Sequence, residues 1–253
     1  MSESDTARLK GKFWYHVSKV APMNTRIPIS LSNGLKFFIR AKTMDKSVLK
    51  EVWIKQIYNK YGIGVEEGDT VIDIGAHIGL FSVYASDLSK SGKVYAFEPF
   101  PKNFAKLREH KEINEQDNLL IHNVAISDRE GTETLYLSPD NNTGGHSLRL
   151  KTHSENKLVV NTISLAAFCN KEKIDHIDYL KIDCEGAEFS ILKSNESILD
   201  KVRKMVLECH PHGDNTVDSM IELLDRHDFE VTRETNNSPS GNEMLYCLKG
   251  TKA

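Results

Sequence analysis

Apolar and polar positions alternate in the first ordered pattern of the chain. The segment RIPISLSNGLKFFIR, residues 26–40, places an apolar side chain at every second position on both sides of Asn33-Gly34. Period-two alternation is typical of β-strands, and Asn-Gly is a strong signal for a tight hairpin turn. The pattern predicts a β-hairpin with Ile27, Ile29 and Leu31 on one face and Leu35, Phe37 and Ile39 on another.

The next apolar side chains recur every fourth residue. Leu49, Trp53, Ile57 and Tyr61 would share one face of an α-helix, because a helix repeats every 3.6 residues. We therefore expect an amphipathic helix through this segment. The hairpin and this helix together predict a small N-terminal cap, residues 1–65.

From Asp69 onward, short apolar runs alternate with helical patterns. Residues 70–74 and KVYAFEP indicate strands, residues 80–88 a helix, and Pro101 a helix start, where proline is favoured. Alternation of this kind predicts an α/β fold over residues 66–253, with a mostly parallel sheet and helices on both faces. Further strands are predicted in NLLIHNVAI, KLVVNTISL, IDYLKIDC and RKMVLECH, a hairpin insertion in REGTETLYLS, and a closing antiparallel pair in FEVTRET and EMLYCLKG.

Composition sets broad limits on this fold. The chain has 253 residues, 39% of them apolar, which suits one α/β domain with an added cap. It has no apolar run long enough for a transmembrane segment, and MSESDTARLK lacks a secretory signal, so we expect a cytoplasmic protein. The four cysteines lack the spacing of a zinc site and are expected to be buried apolar side chains.

Charge is spread unevenly along the chain. The net charge of -3 argues against a nucleic-acid-binding surface over the whole molecule. Residues 1–60 nevertheless carry 12 Lys/Arg and 4 Asp/Glu, a net of +8. This asymmetry has two interpretations: an anionic partner, such as an anionic small-molecule acceptor, or a basic surface that is simply solvated.

The first strand of the α/β part ends in a glycine turn, Asp73-x-Gly75-x-x-x-Gly79. A dinucleotide-binding turn has the pattern G-x-G-x-x-G, and its middle glycine admits a pyrophosphate. His77 stands at that position here, which argues against a dinucleotide. A wider turn preceded by an acid fits a ligand that carries both an ammonium and a carboxylate group. Asp73 would meet the ammonium, and the backbone N–H groups of the turn would meet the carboxylate.

Glu98 ends the second strand, 25 residues after Asp73. In sheets of this kind ligands bind at the carboxyl ends of the strands, so Glu98 is placed to accept hydrogen bonds from two ribose hydroxyls. Each feature alone also fits helix capping, packing or a nicotinamide site. Together they favour S-adenosylmethionine.

Five segments carry a resemblance to a known family: VIDIGAHIGLFS, VYAFEPFPKNFAKL, NVAISDREGTETLYL, LKIDCEGAEFSIL and LECHP. From about Asn33 to Lys249 the chain resembles the FkbM-type methyltransferases, although Cys184 stands where the family usually has an aliphatic residue. The resemblance implies a class I, Rossmann-like methyltransferase that uses S-adenosylmethionine. It also implies transfer to a hydroxyl oxygen, often on a polyketide, sugar or lipid-like small molecule.

The resemblance further implies which residues bind the cofactor. The glycine turn would line the methionine part, Glu98 would hold the ribose, and the end of the third strand would lie beside the adenine. Phe97 and Pro99 would pack next to the ribose. The implied cofactor-binding residues are Asp73, Gly75, His77, Gly79, Glu98, Asn123 and Ala125.

Two neighbouring strand ends supply the catalytic candidates, Asp183, Glu185, Glu208 and His210. A hydroxyl acceptor must lose its proton during methyl transfer, so a base is expected. We expect Asp183 to contact the methionine part or the acceptor, and His210 to be the base, because a free imidazole titrates near neutrality. The alternative is that the same four residues bind Mg²⁺; we favour the histidine and expect no metal.

The loop SPDNNTGGHSL is the candidate lid, and its His146 is expected to be solvated. Two other functions remain open. The basic N-terminal part suggests a methyltransferase acting on RNA or protein. The glycine turn by itself also fits a non-catalytic Rossmann-type nucleotide-binding module.

Overall fold

The computed structural model of the protein describes residues 21–150, 156–235 and 241–250. It starts with the predicted hairpin, β1 (Arg26–Ser30) and β2 (Lys36–Arg40). Both apolar sets of the hairpin lie on one face, because Ile27 is paired with Ile39 in the antiparallel register and both are buried. The prediction of two faces was wrong, since residues directly opposite each other in such a pair point to the same side.

Helix α1 (Asp45–Trp53) follows the hairpin, and it is shorter than predicted. Gln56 takes a left-handed backbone conformation, with φ of 49°, which an α-helix does not accommodate. The chain continues in turns, so the predicted helix through Tyr61 was wrong. Ile57 still packs against the same hydrophobic cluster as α1. The four-residue spacing of apolar side chains therefore continues beyond the end of the helix, into a segment of turns.

The central sheet has seven strands, and its C-terminal pair is antiparallel as predicted. All neighbouring pairs are parallel except the two that involve the last strand. In chain order the strands are β3 (Thr70–Ile74), β4 (Lys93–Phe97), β5 (Leu119–His122), β9 (Ile177–Ile182), β10 (Val202–Cys209), β11 (Phe229–Thr235) and β12 (Glu243–Lys249). Their spatial order is β11-β12-β10-β9-β3-β4-β5.

The segment that the sequence predicts as one strand, residues 118–126, is divided between the central sheet and a second, smaller sheet. The chain leaves the central sheet after His122, and the following residues pair elsewhere, so the single strand was wrong. The prediction of a hairpin insertion in REGTETLYLS was wrong, because this segment contains one strand, which pairs antiparallel with a later one. The small sheet has the order β6-β8-β7 and consists of β6 (Ala125–Ser127), β7 (Gly131–Tyr136) and β8 (Lys157–Ser164).

Helices cover both faces of the central sheet and enclose two hydrophobic clusters. One cluster joins the hairpin and α1 to α2 (Leu80–Leu88), with Trp53 packed on Tyr84 at a ring distance of 5.0 Å. The division at residue 65 stays a prediction, although the core is continuous across it. No helix among the described residues is long and apolar enough to cross a membrane. The other helices are α3 (Pro101–Ile113), α4 (Leu165–Glu172), α5 (Glu188–Ser194) and α6 (Val217–Arg226), with a 3₁₀ turn at Glu196–Lys201.

Strand β3 lies between β9 and β4, and the strand order reverses at this position. Here the turn that follows β3 passes close to the chain that follows β9. Gly75 has φ of 81°, and a Cβ at this position would lie 1.8 Å from the carbonyl oxygen of Asp183. A side chain would therefore be strained by its backbone and would also collide with β9's extension. Only glycine fits this crossing.

We expect Gly75→Ala to lower the free energy of unfolding by roughly 2–4 kcal/mol, the sum of left-handed strain and overpacking. Chemical denaturation measures this loss. Gly144→Ala is the matched control, because a Cβ there meets nothing within 4 Å. The control should change stability by no more than about 0.5 kcal/mol. Similar losses in both variants would show that the close crossing at Gly75 is not what requires glycine.

Candidate active site

A cavity of about 670 Å³ opens over the carboxyl ends of the parallel strands, beside the reversal of strand order. Its volume suits a small ligand or cofactor. Helix α1 and the loop around residues 142–150 form the opposite wall. Of the predicted site residues, Gly75, His77, Glu98, Ala125, Asp183, Glu185, Glu208 and His210 line the cavity, whereas Asp73, Gly79 and Asn123 do not.

Asp73 lies below the cavity floor and is fully buried. Its Oδ1 is 3.0 Å from Nζ of Lys181, and its Oδ2 accepts a hydrogen bond of 2.6 Å from Ser82. Lys181 also donates to the carbonyl oxygen of Gly75 at 2.8 Å. The expectation that Asp73 meets an ammonium group is therefore contradicted, because a buried lysine already neutralises it.

The backbone N–H groups of the glycine turn are also used within the protein. Those of Gly75 and Ala76 donate to the carbonyl oxygen of Phe97, at 3.1 and 2.9 Å, and that of His77 donates to Glu98 at 2.8 Å. The expectation that these amides bind a carboxylate is contradicted for these three groups. They tie the turn to the end of β4 instead.

Gly79 serves packing rather than ligand contact. It precedes α2 with φ of 83°, and a Cβ there would lie 2.3 Å from Cδ1 of Leu107. Asn123 is likewise a supporting residue, contrary to its predicted place beside the adenine. Its amide donates to the carbonyl oxygens of Glu98 at 2.8 Å and Pro99 at 3.0 Å, which fixes the chain after β4.

Glu98 lies where the sequence predicts a ribose-binding acid. Its side chain is buried, and each carboxylate oxygen accepts one backbone hydrogen bond of 2.8 Å, from His77 and from Phe100. Burial raises the pKa of Glu98 to about 8. Each oxygen can accept a further hydrogen bond. Ala125, with Ile126, supplies an apolar wall nearby.

His77 connects the glycine turn to the N-terminal elements and to the candidate lid. Its Nε2 lies 3.0 Å from Oγ1 of Thr143 and 3.4 Å from Oδ1 of Asp45. Asp45 is fully buried and is held by Arg40 at 2.8 Å. Burial lowers the pKa of His77 to about 4, so the imidazole is neutral. Sequence reasoning missed Asp45 and Thr143, because no local motif links positions so far apart.

The candidate lid is anchored over the cavity. Thr143 donates to Asp45 at 3.0 Å, and its carbonyl oxygen accepts a hydrogen bond of 2.8 Å from Asn103. His146 accepts a hydrogen bond of 3.0 Å from the backbone of Ser138 and packs on Phe100 at a ring distance of 4.3 Å. Burial lowers the pKa of His146 to about 4. The prediction of a solvated His146 was wrong.

The two predicted strand ends do converge. Asp183, Glu185 and His210 each have one potential ligand atom within 4.8 Å of the others. Oε1 of Glu208 lies 3.9 Å from Nε2 of His210. Tyr58, which sequence reasoning missed, donates its hydroxyl to Asp183 at 3.1 Å from the segment that follows α1.

His210 is held by a second residue that sequence reasoning missed. Oε1 of Glu188 lies 2.9 Å from its Nδ1, and the other oxygen of Glu188 accepts a hydrogen bond of 2.9 Å from Gly186. Burial opposes the charge of His210, but Glu188 and the nearby carboxylates raise its pKa to about 10. The prediction of a free imidazole base was wrong, since Glu188 binds the ring at Nδ1. Glu188 belongs to LKIDCEGAEFSIL, one of the segments that carry the family resemblance, which was the one available signal.

The pKa values of the remaining two carboxyl groups, Glu185 and Glu208, are higher than those of isolated acids. Burial, reinforced by Asp183, raises the pKa of Glu208 to about 7. Burial also raises the pKa of Glu185 to about 7, where His210 opposes the shift and Asp183 supports it. The cluster therefore gathers two carboxyl groups that can bind or release a proton near neutral pH at one end of the cavity.

Comparison with known proteins gives a match over most of the α/β part of the chain. A family model described as a methyltransferase FkbM domain matches residues 73–231. The 31-O-demethyl-FK506 methyltransferase FkbM of Streptomyces tacrolimicus is 25% identical, with 77% of this chain and 85% of the relative covered. The AMB antimetabolite synthetase AmbE of Pseudomonas aeruginosa is 28% identical over 79% of this chain, which spans 11% of the synthetase.

Among solved structures, fibrillarin of Aeropyrum pernix with bound S-adenosyl-L-methionine superposes with a TM-score of 0.48 and 12% identity. The superposition covers 96% of this chain and 100% of fibrillarin.

The buried neutral His77 predicts a pH-dependent stability. Its pKa is about 4 in the folded protein, against 6.5 without perturbation, so the unfolded chain binds the proton first. The stabilisation is present above pH 6.5 and is lost as the pH falls through 4, by up to roughly 3 kcal/mol. The free energy of unfolding, measured by denaturation, should decrease more steeply with falling pH between these two values in the wild type than in His77→Asn. Asparagine is chosen because it tolerates the left-handed backbone at this position. Parallel curves would mean that His77 is not held neutral.

Proposed function

Since the chain belongs to the FkbM methyltransferase family and uses S-adenosylmethionine, we propose that it methylates a hydroxyl oxygen of a small molecule. The fold is that of a class I, Rossmann-like methyltransferase. The observation that carries the proposal is the arrangement of one cavity, with Glu98 at one end and the Asp183–His210 cluster at the other. The name of the relative from Streptomyces tacrolimicus, which specifies methylation at an oxygen, supports it.

The residues of the cavity fit this cofactor. Glu98 is a buried carboxylate with hydrogen-bonding capacity left on both oxygens, which matches a pair of ribose hydroxyls. The apolar side chains of Ala125 and Ile126 suit the face of an adenine. When bound, the cofactor supplies a methyl group on a positively charged sulfur. Asp183 stands towards the acceptor end of the same cavity.

We assign removal of the acceptor proton to Glu208. Its side chain lines the cavity and is 26% exposed, whereas His210 is bound to Glu188 and carries its own proton. As the acceptor oxygen forms its bond to the methyl carbon and the carbon–sulfur bond breaks, the hydroxyl proton passes to the Glu208 carboxylate. Alignment of the reacting atoms within the closed cavity supplies the rest of the catalysis.

The basic N-terminal part gives less support to RNA or protein as the acceptor than its charge suggests. Arg40 forms an ion pair with buried Asp45, and Arg26 forms one with Glu109. Lys55 lines the cavity and is largely exposed, so we propose that it meets an acidic group of the acceptor. The cytosolic location stays a prediction from the sequence.

The role of Glu98 is tested by calorimetry with S-adenosylhomocysteine. We expect Glu98→Ala to weaken binding by roughly 1–3 kcal/mol, because two hydrogen bonds to the ribose are lost. Glu98→Gln keeps the shape and should lose less. Glu109→Gln, on the outer face of α3, is the matched control and should bind as the wild type does. Unchanged binding by Glu98→Ala, or tight binding of NAD by the wild type, would contradict the assignment.

The reaction is tested with methyl-labelled S-adenosylmethionine and a panel of hydroxylated macrolactones and hexuronic acids, beside tRNA and unfolded protein. We expect label in a small product that survives mild alkali, as an ether does and an ester does not. Glu208→Gln should lower the rate about 10²–10⁴-fold while the affinity for S-adenosylhomocysteine stays unchanged. Glu230→Gln, exposed on edge strand β11, should retain full activity. Label in tRNA or protein instead would overturn the small-molecule proposal, and a normal rate in Glu208→Gln would remove its assigned role.

A further inference from the structure

The imidazole of His210 is fixed on one edge and open on the other. Its side chain is 4% exposed, and Glu188 binds both its Nδ1, at 2.9 Å, and its backbone N–H, at 2.7 Å. Within the described residues, two carboxylate oxygens approach Nε2, that of Glu185 at 3.6 Å and that of Glu208 at 3.9 Å. Both distances exceed a hydrogen bond. The Nε2 edge of a ring that Glu188 holds on its other side is thus directed at the cavity.

Two carboxylates converge on the same point. Asp183 and Glu185 each place an oxygen within 4.8 Å of the other and of a ring nitrogen of His210. Donor atoms around a first-row metal ion, with bonds of about 2.1 Å, stand roughly 3–4 Å apart. The three side chains are therefore within about an ångström of a coordinating arrangement. They reach it from two strand ends, so the spacing is set by the sheet rather than by one loop.

We propose that Asp183, Glu185 and His210 bind one divalent first-row metal ion, which replaces the proton on Nε2 of His210 and releases it to solvent, while Glu188 orients the ring through Nδ1. A carboxylate behind the non-ligating nitrogen is the arrangement that fixes a metal-binding imidazole in proteins. One imidazole and two carboxylates suit Mn²⁺ or Zn²⁺ better than Mg²⁺, which prefers oxygen ligands alone. The sequence favours no metal at this site because it does not reveal the contact between Glu188 and His210.

The charge of the site points the same way. Four carboxyl groups, those of Asp183, Glu185, Glu188 and Glu208, surround one imidazole, which can supply no more than one positive charge. The nearest lysine is Lys181, 3.8 Å from Asp183, and it is already shared with Asp73. Like charges gathered in a partly buried cavity are unfavourable unless a cation joins them.

The role of the ion rests on the proposed function. Three protein ligands leave positions open for the oxygen of the acceptor, and a bound metal ion makes a hydroxyl a stronger acid. The acceptor proton would then pass to Glu208, which is not one of the three ligands. The ion and Glu208 would therefore act on the same oxygen from two sides.

The test is a titration of the full chain with Mn²⁺, in which electron paramagnetic resonance measures the free ion, with and without S-adenosylhomocysteine. We expect one Mn²⁺ per chain, lost in Glu185→Gln and in His210→Gln. Glu188→Gln should weaken binding about 10–100-fold, as expected for a residue that orients a ligand. His176→Ala is the matched control: it removes an exposed histidine paired with Asp178 at 3.1 Å, and should not change binding.

Equal Mn²⁺ binding by the wild type, Glu185→Gln and His210→Gln would overturn the site, as would no binding by the wild type. Glu185 is partly exposed, and Gln keeps its size, so Glu185→Gln remains informative where His210→Gln fails to fold. Calorimetry with S-adenosylhomocysteine on the same samples separates the two proposals. Cofactor binding without Mn²⁺ refutes only the metal site, whereas loss of cofactor binding by the wild type refutes the proposed function whatever Mn²⁺ does.

Discussion

The ammonium group of Lys181 holds together the strand ends on which the cavity is built. Nζ of Lys181 donates to the carbonyl oxygen of Gly75 at 2.8 Å and lies 3.0 Å from Asp73 and 3.8 Å from Asp183. Burial opposes this charge, yet the two carboxylates raise the pKa of Lys181 and keep it a cation. A buried charge is tolerated only where it is paired and hydrogen-bonded. The glycine turn, β3 and the end of β9 must therefore keep their relative positions.

Around this fixed point the cavity has two chemically different ends. At the end of β4, Glu98 is surrounded by backbone donors and faces the apolar surface of Ala125. At the ends of β9 and β10 carboxylates gather around His210, and Glu188 sets the orientation of the ring. The first end offers hydrogen bonds to a neutral polar ligand. The second gathers carboxyl groups around an imidazole, and the sheet fixes the distance between the two ends.

The N-terminal elements form part of the cavity wall and contact other residues that line it. Tyr58 donates to Asp183, and Asp45 joins Arg40, His77 and Thr143 in one buried polar group. Unpaired polar groups at such depth would be costly, so each of these side chains depends on the others for its place. The wall contributed by α1 and the loop that carries Thr143 are therefore mechanically linked to the glycine turn.

The sequence by itself determined the type and order of the main elements, because apolar periodicity reports which side of a strand or helix is buried. It also brought Glu98, Asp183, Glu208 and His210 to one edge, since parallel strands end on the same side of a sheet. It did not determine what each side chain contacts. Asp73 and Asn123 have the residue types of ligand-binding groups, but Lys181 and the chain after β4 occupy them. His210 gained Glu188 as a partner, which changed its charge. Only the tertiary structure decided these roles, because the free energy of a polar group depends on its neighbours in space and its burial.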